Sequence, residues 1–313
     1  MKVVALAGGT GGAKLAHGLQ LTLAAGDLTV VVNTGDDTER HGLLVMPDHD
    51  AVMYMLDGRF DNERGWGIAD ETWTVMDELE RYGEESWFRL GDRDFATHIA
   101  RGARLREGSS LTEAVRGLQT TRGVPTAILP MADEPVRTQV RTDEGWLHFQ
   151  EYFVRRHQAP EVHEVRFVGI EAARPSPHVE AALADAEVVV IGPSNPIVSI
   201  GPILAVPGMA PLIHTARSGG ARVVAVSGIV GGVALKGPAG RMLTSLGFES
   251  SARGVAALYT DSLDGFVLDT VDKALEGEIG ALGLRTLVTD TIMVGDAGRA
   301  RLAETVLRFA RSL

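Results

Sequence analysis

Four continuous aliphatic runs, each broken by a loop of Gly, Asn, Ser or Pro, constrain the fold of this chain more than any other feature. They are Val3–Ala7 before Gly8-Gly9-Thr10-Gly11-Gly12, Leu28–Val32 before Asn33-Thr34-Gly35-Asp36-Asp37, Val188–Ile191 before Gly192-Pro193-Ser194-Asn195-Pro196, and Val223–Val226 before Ser227-Gly228. A strand that is apolar at every position has both faces covered, which is how a parallel sheet between two layers of helices reads. Between the first two runs, residues 13–25 place Leu15, Ala16, Leu19 and Leu23 on one helical face. Strand, turn, helix and strand therefore fit one parallel crossover, which is right-handed as a rule. Phe266–Leu268 predicts a further short strand, and residues 297–309 a closing helix with Leu302, Val306 and Phe309 on one side. The expected architecture is α/β, a Rossmann-like doubly wound, mainly parallel sheet.

The middle of the chain breaks this rhythm. Arg137–Arg141 and Trp146–Phe153 alternate polar and apolar residues about Thr142-Asp143-Glu144-Gly145, which predicts a β-hairpin. Pro125, Pro130, Pro135 and Pro160 discourage long helices around it. The expectation is a core of residues 1–110 and 181–313 that binds nucleotide and metal. Residues 111–180 are expected to form a smaller inserted α+β region serving as a lid or dimer surface.

Charge and cysteine content narrow the chemistry. With 30 Lys and Arg against 41 Asp and Glu the formal charge is −11, and no basic run offsets it, so a nucleic-acid partner is not expected. The absence of Cys removes thiolate metal sites, disulfides and thiol nucleophiles, leaving oxygen or imidazole to hold any metal. Val3–Ala7 is too short for a signal peptide or a membrane span, so a cytoplasmic location without a membrane partner is expected.

Loops that follow parallel strands share the carboxyl edge of the sheet, where open α/β folds bind ligands. In the first loop, Gly9, Thr10, Gly11, Gly12 and Lys14 suit a phosphate or diphosphate, because glycines let backbone N–H groups approach an anion at a helix N-terminus. The loop matches neither Walker A nor a full dinucleotide fingerprint, and a tight turn would use the same glycines without a ligand. In the second loop Asp36 and Asp37 adjoin, with Asp48 and Asp50 soon after, a set of hard oxygen donors suited to magnesium beside substrate phosphates. Helix capping would also use any one of these acids. Arg89-Leu90-Gly91-Asp92-Arg93-Asp94, followed by His98, offers either anion-binding guanidinium groups or internal ion pairs. Trp66 and Trp73 supply flat apolar area for a stacked ring or for core packing. The fourth loop displays Ser194, Asn195 and Ser199 between prolines, as stiff ligand contacts or as an ordinary strand exit. No serine triad, paired-histidine motif or nucleophile elbow is present.

These segments resemble the 2-phospho-L-lactate transferase family of deazaflavin coenzyme F(420) biosynthesis. The stretches that carry the resemblance are GGTGGAKLAHGL, VVNTGDDTERHGLLVMPDHDAVMYML, RGWGIADETW, RLGDRDFATHIARG, ILPMADEPVRT, HFQEYFV and IGPSNPIVSIGPIL, in that order, with a looser match through SGIVGGVALKGPAG. The resemblance implies a Mg2+-dependent transferase. A phospho-acid would pass from a guanylyl diphosphate donor to the ribityl hydroxyl of 7,8-didemethyl-8-hydroxy-5-deazariboflavin, and GMP would leave.

It further implies deazaflavin near Asp50, Arg89 and Trp66, and the nucleotide between Gly9, Thr10, Gly11, Gly12, Lys14, Ser194, Asn195 and Ser199. Metal would lie on Asp36 and Asp50, catalytic roles would fall to Asp36, Asp37 and Asp50, and the enzyme would be a homodimer acting on small molecules. Whether Asp37 or Asp50 takes the hydroxyl proton stays open, as does the choice among lactate, enolpyruvate and glycerate. The chain departs from the family pattern at two places: His49 replaces an aliphatic residue, and Gly12-Ala13-Lys14 replaces a Thr-Pro-Lys found in some relatives.

Two other classes fit parts of the same pattern. A nucleotide-sugar-binding regulator of the gluconeogenesis-factor type shares a glycine-rich start, but has no need of a second pocket for a flat heterocycle. An NAD-dependent dehydrogenase lacks support because the third glycine of its fingerprint is missing.

Overall fold

A computed structural model describes residues 1–313. Seven strands form the central sheet: β1 (Val3–Ala7), β2 (Leu28–Val32), β3 (Ala127–Pro130), β4 (Val188–Ile191), β5 (Arg222–Val226), β6 (Gly265–Asp269) and β7 (Arg285–Thr289). Their order is β7-β6-β5-β4-β1-β2-β3, and every neighbouring pair is parallel. The chain runs outward from β1 through β2 to β3, then returns to the other side of β1 and runs outward through β4 to β7. The switch point of the doubly wound sheet is therefore the crevice between the carboxyl ends of β1 and β4.

Every residue of β1 and β4 is buried, because alternate side chains enter two different cores. Val3, Ala5 and Ala7 meet the helices α1 (Gly9–Thr22), α2 (Pro47–Leu56) and the carboxy-terminal Gly295–Arg311. Val4 and Leu6 meet the helices of the opposite face. A continuous aliphatic run is what two apolar layers on one strand require. On the first layer α1 lies so close to the carboxy-terminal helix that a Cβ at Gly18 would run into the Arg299 carbonyl oxygen. No single helix is long and apolar enough to cross a membrane.

The hairpin forms as expected over Arg137–Thr142 and Gly145–His148, with Glu164–Val168 added on its other edge. Its second arm ends at His148, before a π-helical turn at Glu151–Arg155, so the alternation through Phe153 is partly helical packing. β3 lies within the segment 111–180 and nonetheless pairs with β2 in the central sheet. The run Ala127–Leu129 sits between Thr126 and Pro130 in a proline-rich stretch, which hid it as a strand, and Pro130 suits its edge position. β7, with Arg285 at its start, carries no continuous aliphatic run and was equally hidden.

Candidate functional site

The loops after β1, β2 and β4 meet at the switch point, and their interlocking is visible residue by residue. The Gly8 N–H donates to Ser194 Oγ at 3.1 Å and the Gly9 N–H to Asp48 Oδ1 at 2.7 Å. A side chain at Gly11 would collide with the Pro193 carbonyl, and one at Gly12 with Ser194 Oγ and Ala7. Glycine here is demanded by the approach of two loops to each other. Gly9 has φ +60°, a left-handed conformation that a side chain would strain. Thr10 Oγ1 donates to the Gly65 carbonyl at 3.3 Å, which ties the Trp66 loop to the rim of the crevice.

Asn33, at the end of β2, organises the acids. Its Nδ2 donates to Asp48 Oδ2 at 2.9 Å and to the Val198 carbonyl at 3.2 Å, while its Oδ1 accepts the Gly35 N–H at 2.8 Å. Asp36, Asp37 and Asp48 are all buried, and Asp36 Oδ1 and Asp37 Oδ1 accept no hydrogen bond. Burial, then the charge of Asp48, pushes Asp36 well above the usual carboxylate range. Burial also pushes Asp48 up to about 6, against the hydrogen bonds from Asn33 and Gly9. Asp37 is raised by burial and drawn back by Arg137 and Arg101. Two buried acids beside each other, with lone pairs unclaimed by any protein cation, fit a bound divalent ion.

Asp50 is held by a protein cation. Arg101 holds it in a fork, Nη1 to Oδ1 at 2.7 Å and Nη2 to Oδ2 at 3.0 Å, and Arg101 itself is fully buried. Burial would raise this carboxyl, but the Arg101 charge and neighbouring hydrogen bonds hold it well below the ordinary range. Asp50, Asp94 and His98 place ligand atoms within 4.8 Å of one another, so this buried group could hold a metal. Several of its donor atoms are engaged, while His98 Nε2 has no hydrogen-bond partner. Arg101 Nη2 donates to His98 Nδ1 at 2.8 Å and Tyr54 donates to Asp94 at 2.6 Å.

Asp48, hydrogen-bonded through both oxygens to Gly9 and Asn33, lies beside the open Asp36 Oδ1 in the crevice, while Asp50 turns to Arg101. The reason lies in α2. Pro47 opens the helix, and residues two apart on a helix point to nearly opposite sides, so only one of Asp48 and Asp50 can face the crevice. That signal was present in Pro47-Asp48-His49-Asp50.

The remaining candidates separate into rim and scaffold. Lys14 is half-buried and makes no ion pair. Burial, then Lys236 and Arg299, lower its pKa, which places unneutralised cations beside the glycine loop. Lys236 was not singled out by sequence; it reaches Gly65 from a loop flanked by Gly232 and Gly237. Ser194 and Ser199 are buried against Gly8. Asn195 instead turns its Oδ1 onto the Ile197 and Val198 N–H groups, capping its own turn, so its carbonyl is used by the fold.

Trp66 is 42% exposed and meets Trp73 edge-on at 5.9 Å. Arg64 lies 5.0 and 4.9 Å from their ring centroids, and Arg89 lies 5.1 Å from that of Trp73 while pairing with Asp77 at 3.3 Å. The rest of the Arg-Leu-Gly-Asp-Arg-Asp segment is structural. Asp92 accepts the Thr74 and Val75 N–H groups, and Arg93 donates to the Ala69 carbonyl.

A pH dependence follows from Asp48. With a folded pKa of about 6, above the ~3.9 of an unfolded Asp, the native protein keeps this proton longer than the unfolded chain. The contribution is favourable at acid pH and is lost as pH rises through 6. A divalent ion bound to the ionised pair would oppose that loss. The expected result is a magnesium-induced rise in melting temperature that is larger at about pH 8 than at about pH 5. An equal rise at both would show that the ion binds elsewhere.

The sequence model of the family described as 2-phospho-L-lactate transferase CofD matches residues 3–281. The chain is 42% identical to a phosphoenolpyruvate transferase of Kitasatospora aureofaciens, over 100% of this chain and 99% of that one. It is 42% identical to a 2-phospho-L-lactate transferase of Methanosarcina barkeri, over 97% of each chain. A crystal structure of a UPF0052 family protein from Bacillus halodurans shares the fold, with a TM-score of 0.65 at 15% identity over 98% of both chains.

Proposed function

The chain belongs to the 2-phospho-L-lactate transferase CofD family and is a transferase enzyme, and on that premise we propose that it makes a phosphodiester in coenzyme F(420) biosynthesis. The donor is a guanylyl diphosphate carrying 2-phospho-lactate or a close analogue such as phosphoenolpyruvate. The acceptor is the terminal ribityl hydroxyl of 7,8-didemethyl-8-hydroxy-5-deazariboflavin. The observation that carries this reading is the meeting, at one switch point, of a glycine loop, a buried pair of acids and an aromatic wall joined to the loop through Thr10 and Gly65.

Each part has a task in that reaction. The hydroxyl oxygen bonds to the outer phosphorus of the donor, the bond from that phosphorus to the bridging oxygen breaks, and GMP leaves with the electron pair. Phosphoryl displacement of this kind is accelerated by positioning and charge neutralisation. The backbone at Gly9–Gly12 and the cations Lys14 and Lys236 hold the diphosphate. Asp36 and Asp48 would hold magnesium, which would supply charge neutralisation to the donor phosphates. Asp37 takes the hydroxyl proton, since its Oδ1 is free and Asp50 is occupied by Arg101. Trp66, Trp73 and Arg89 present the face on which the deazaflavin ring lies.

The test is to incubate the protein with the deazaflavin, magnesium and each of the lactyl, enolpyruvyl and glyceryl donors, and to follow GMP release together with the new phosphodiester. GMP and product should appear in equal amounts and stop on addition of a chelator. Failure with every donor, or GMP release without coupled product, sinks the proposal.

A further inference from the structure

The hairpin carries an unused set of hydrogen-bond donors beside the acid loop. Two bonds fasten it there: the Thr138 N–H donates to the Gly35 carbonyl at 2.7 Å, and Gln150 Nε2 donates to the Asp36 carbonyl at 3.3 Å. Arg137 and His148 therefore flank Asp36 and Asp37 from above. Gln139 pairs with His148 across the two strands, and residues two apart on a strand share a face, so Arg137, Gln139 and His148 lie on one side of the hairpin.

What these groups lack is a carboxylate at hydrogen-bond distance, although His148 lies beside the Asp37 backbone. The Arg137 guanidinium is half-buried, and its one hydrogen bond is to the Val136 carbonyl at 2.7 Å. His148 Nδ1 accepts the Gln150 N–H at 3.2 Å, which fixes the proton of the neutral ring on Nε2. That Nε2 is buried without a partner, as is Nε of Arg40 close by, and Arg40 stacks 4.1 Å from the Trp87 ring without any ion pair. Burial, then Arg137 and Arg40, lower the His148 pKa to about 4, so the ring is neutral and the local excess of positive charge comes from the two arginines. Asp37 lies near enough for Arg137 to draw its carboxyl down, yet neither Arg137 nor Arg40 closes an ion pair, and buried donors left so are costly unless a ligand supplies an acceptor.

We propose that Arg137 and His148 form the subsite that binds the carboxylate of the donor's small acid. The inference rests on the transferase reading above and deepens it. A guanylyl diphosphate donor ends in a phosphate ester of a 2-hydroxy or 2-enol acid, so its carboxylate lies a few bonds beyond the outer phosphorus. The hairpin is fastened to the backbone on both sides of Asp36, which puts these donors where that carboxylate falls when the outer phosphate rests on the acid pair. Arg137 is suited to grip a carboxylate bidentately, and the neutral His148 Nε2–H adds a directional bond. Lactate, enolpyruvate and glycerate all carry this carboxylate, so the subsite reads what they share.

The experiment compares donors with plain GDP, which has the same nucleotide and diphosphate but no acid. Arg137→Leu should raise KM roughly tenfold or more for all three acid-bearing donors, leave kcat within about threefold, and leave the GDP affinity unchanged. Arg137→Lys should lie between wild type and Arg137→Leu, because it keeps the charge and loses the fork. His148→Gln, which keeps a donor near the Nε2 position, should stay close to wild type, whereas His148→Leu should raise KM. Equal weakening of GDP and donors would overturn the assignment and make Arg137 a phosphate or fold residue. Unchanged KM in both Leu variants would overturn it as well. Wild-type protein that releases GMP from no donor would instead remove the parent reading, a failure distinct from both.

Discussion

Replacing Asp36 by Asn should lower kcat by roughly 10²–10³-fold while leaving the metal-free protein at least as stable at neutral pH. Asn keeps the shape of the side chain and its hydrogen bonding to Asn33, and removes only the charge. That charge is unfavourable in the metal-free fold. Asp36 is raised above the unfolded value by burial and by Asp48, so its ionisation costs stability at every pH above the unfolded carboxylate range. Deleting it should raise the neutral-pH melting temperature without magnesium and abolish most of the magnesium-induced rise. Turnover followed by GMP release, with thermal unfolding in the presence and absence of magnesium, separates the two effects. Parallel loss of activity and stability would show that Asp36 serves the fold as a turn or cap residue, and the acid pair would cease to be a metal centre.

The legible part of this protein was the part written in short-range pattern. Val3–Ala7 and Val188–Ile191 announce buried parallel strands because both their faces meet apolar layers, and the loops after them announce the switch point. β3 and β7 were hidden because edge strands need not be apolar throughout, and Pro130 and Arg285 broke their runs.

In the site, residue types pointed to cation and phosphate chemistry, but the roles of individual acids depended on what faced them. Asp50 looked like Asp48 in sequence. It differs because Arg101, 51 positions away, is buried against it. Asn195 looked displayed between prolines and is turned into its own backbone. Arg137 and His148 lie in the stretches ILPMADEPVRT and HFQEYFV but were given no role there, since their place beside Asp36 is set by two backbone-directed bonds to the loop after β2. Charge pattern locates a centre, and tertiary partners decide which members of it are free.

Arg101→Met should destabilise the protein by about 3–5 kcal/mol, the largest loss expected from any single change around the site. Arg101 is fully buried, donates to both oxygens of Asp50 and gives a further bond of 2.8 Å to the Leu44 carbonyl. Met fills a similar volume but leaves Asp50 as a buried, uncompensated carboxylate and His98 Nδ1 without its donor. Removing both charges with Asp50→Leu and Arg101→Met should recover much of the loss, since a buried ion pair exchanged for apolar groups is often close to neutral. The pH profile carries an independent sign. Asp50 is held below its unfolded pKa, so its contribution is present above about pH 4 and disappears as pH falls through the folded value. The gap between wild type and Arg101→Met in urea unfolding should therefore be widest at neutral pH and narrow in acid. A gap that is constant with pH would assign the loss to packing around α2. Retention of magnesium-dependent stabilisation in the double variant would keep the metal on Asp36 and Asp48, whereas its loss would return Asp50 to the metal centre.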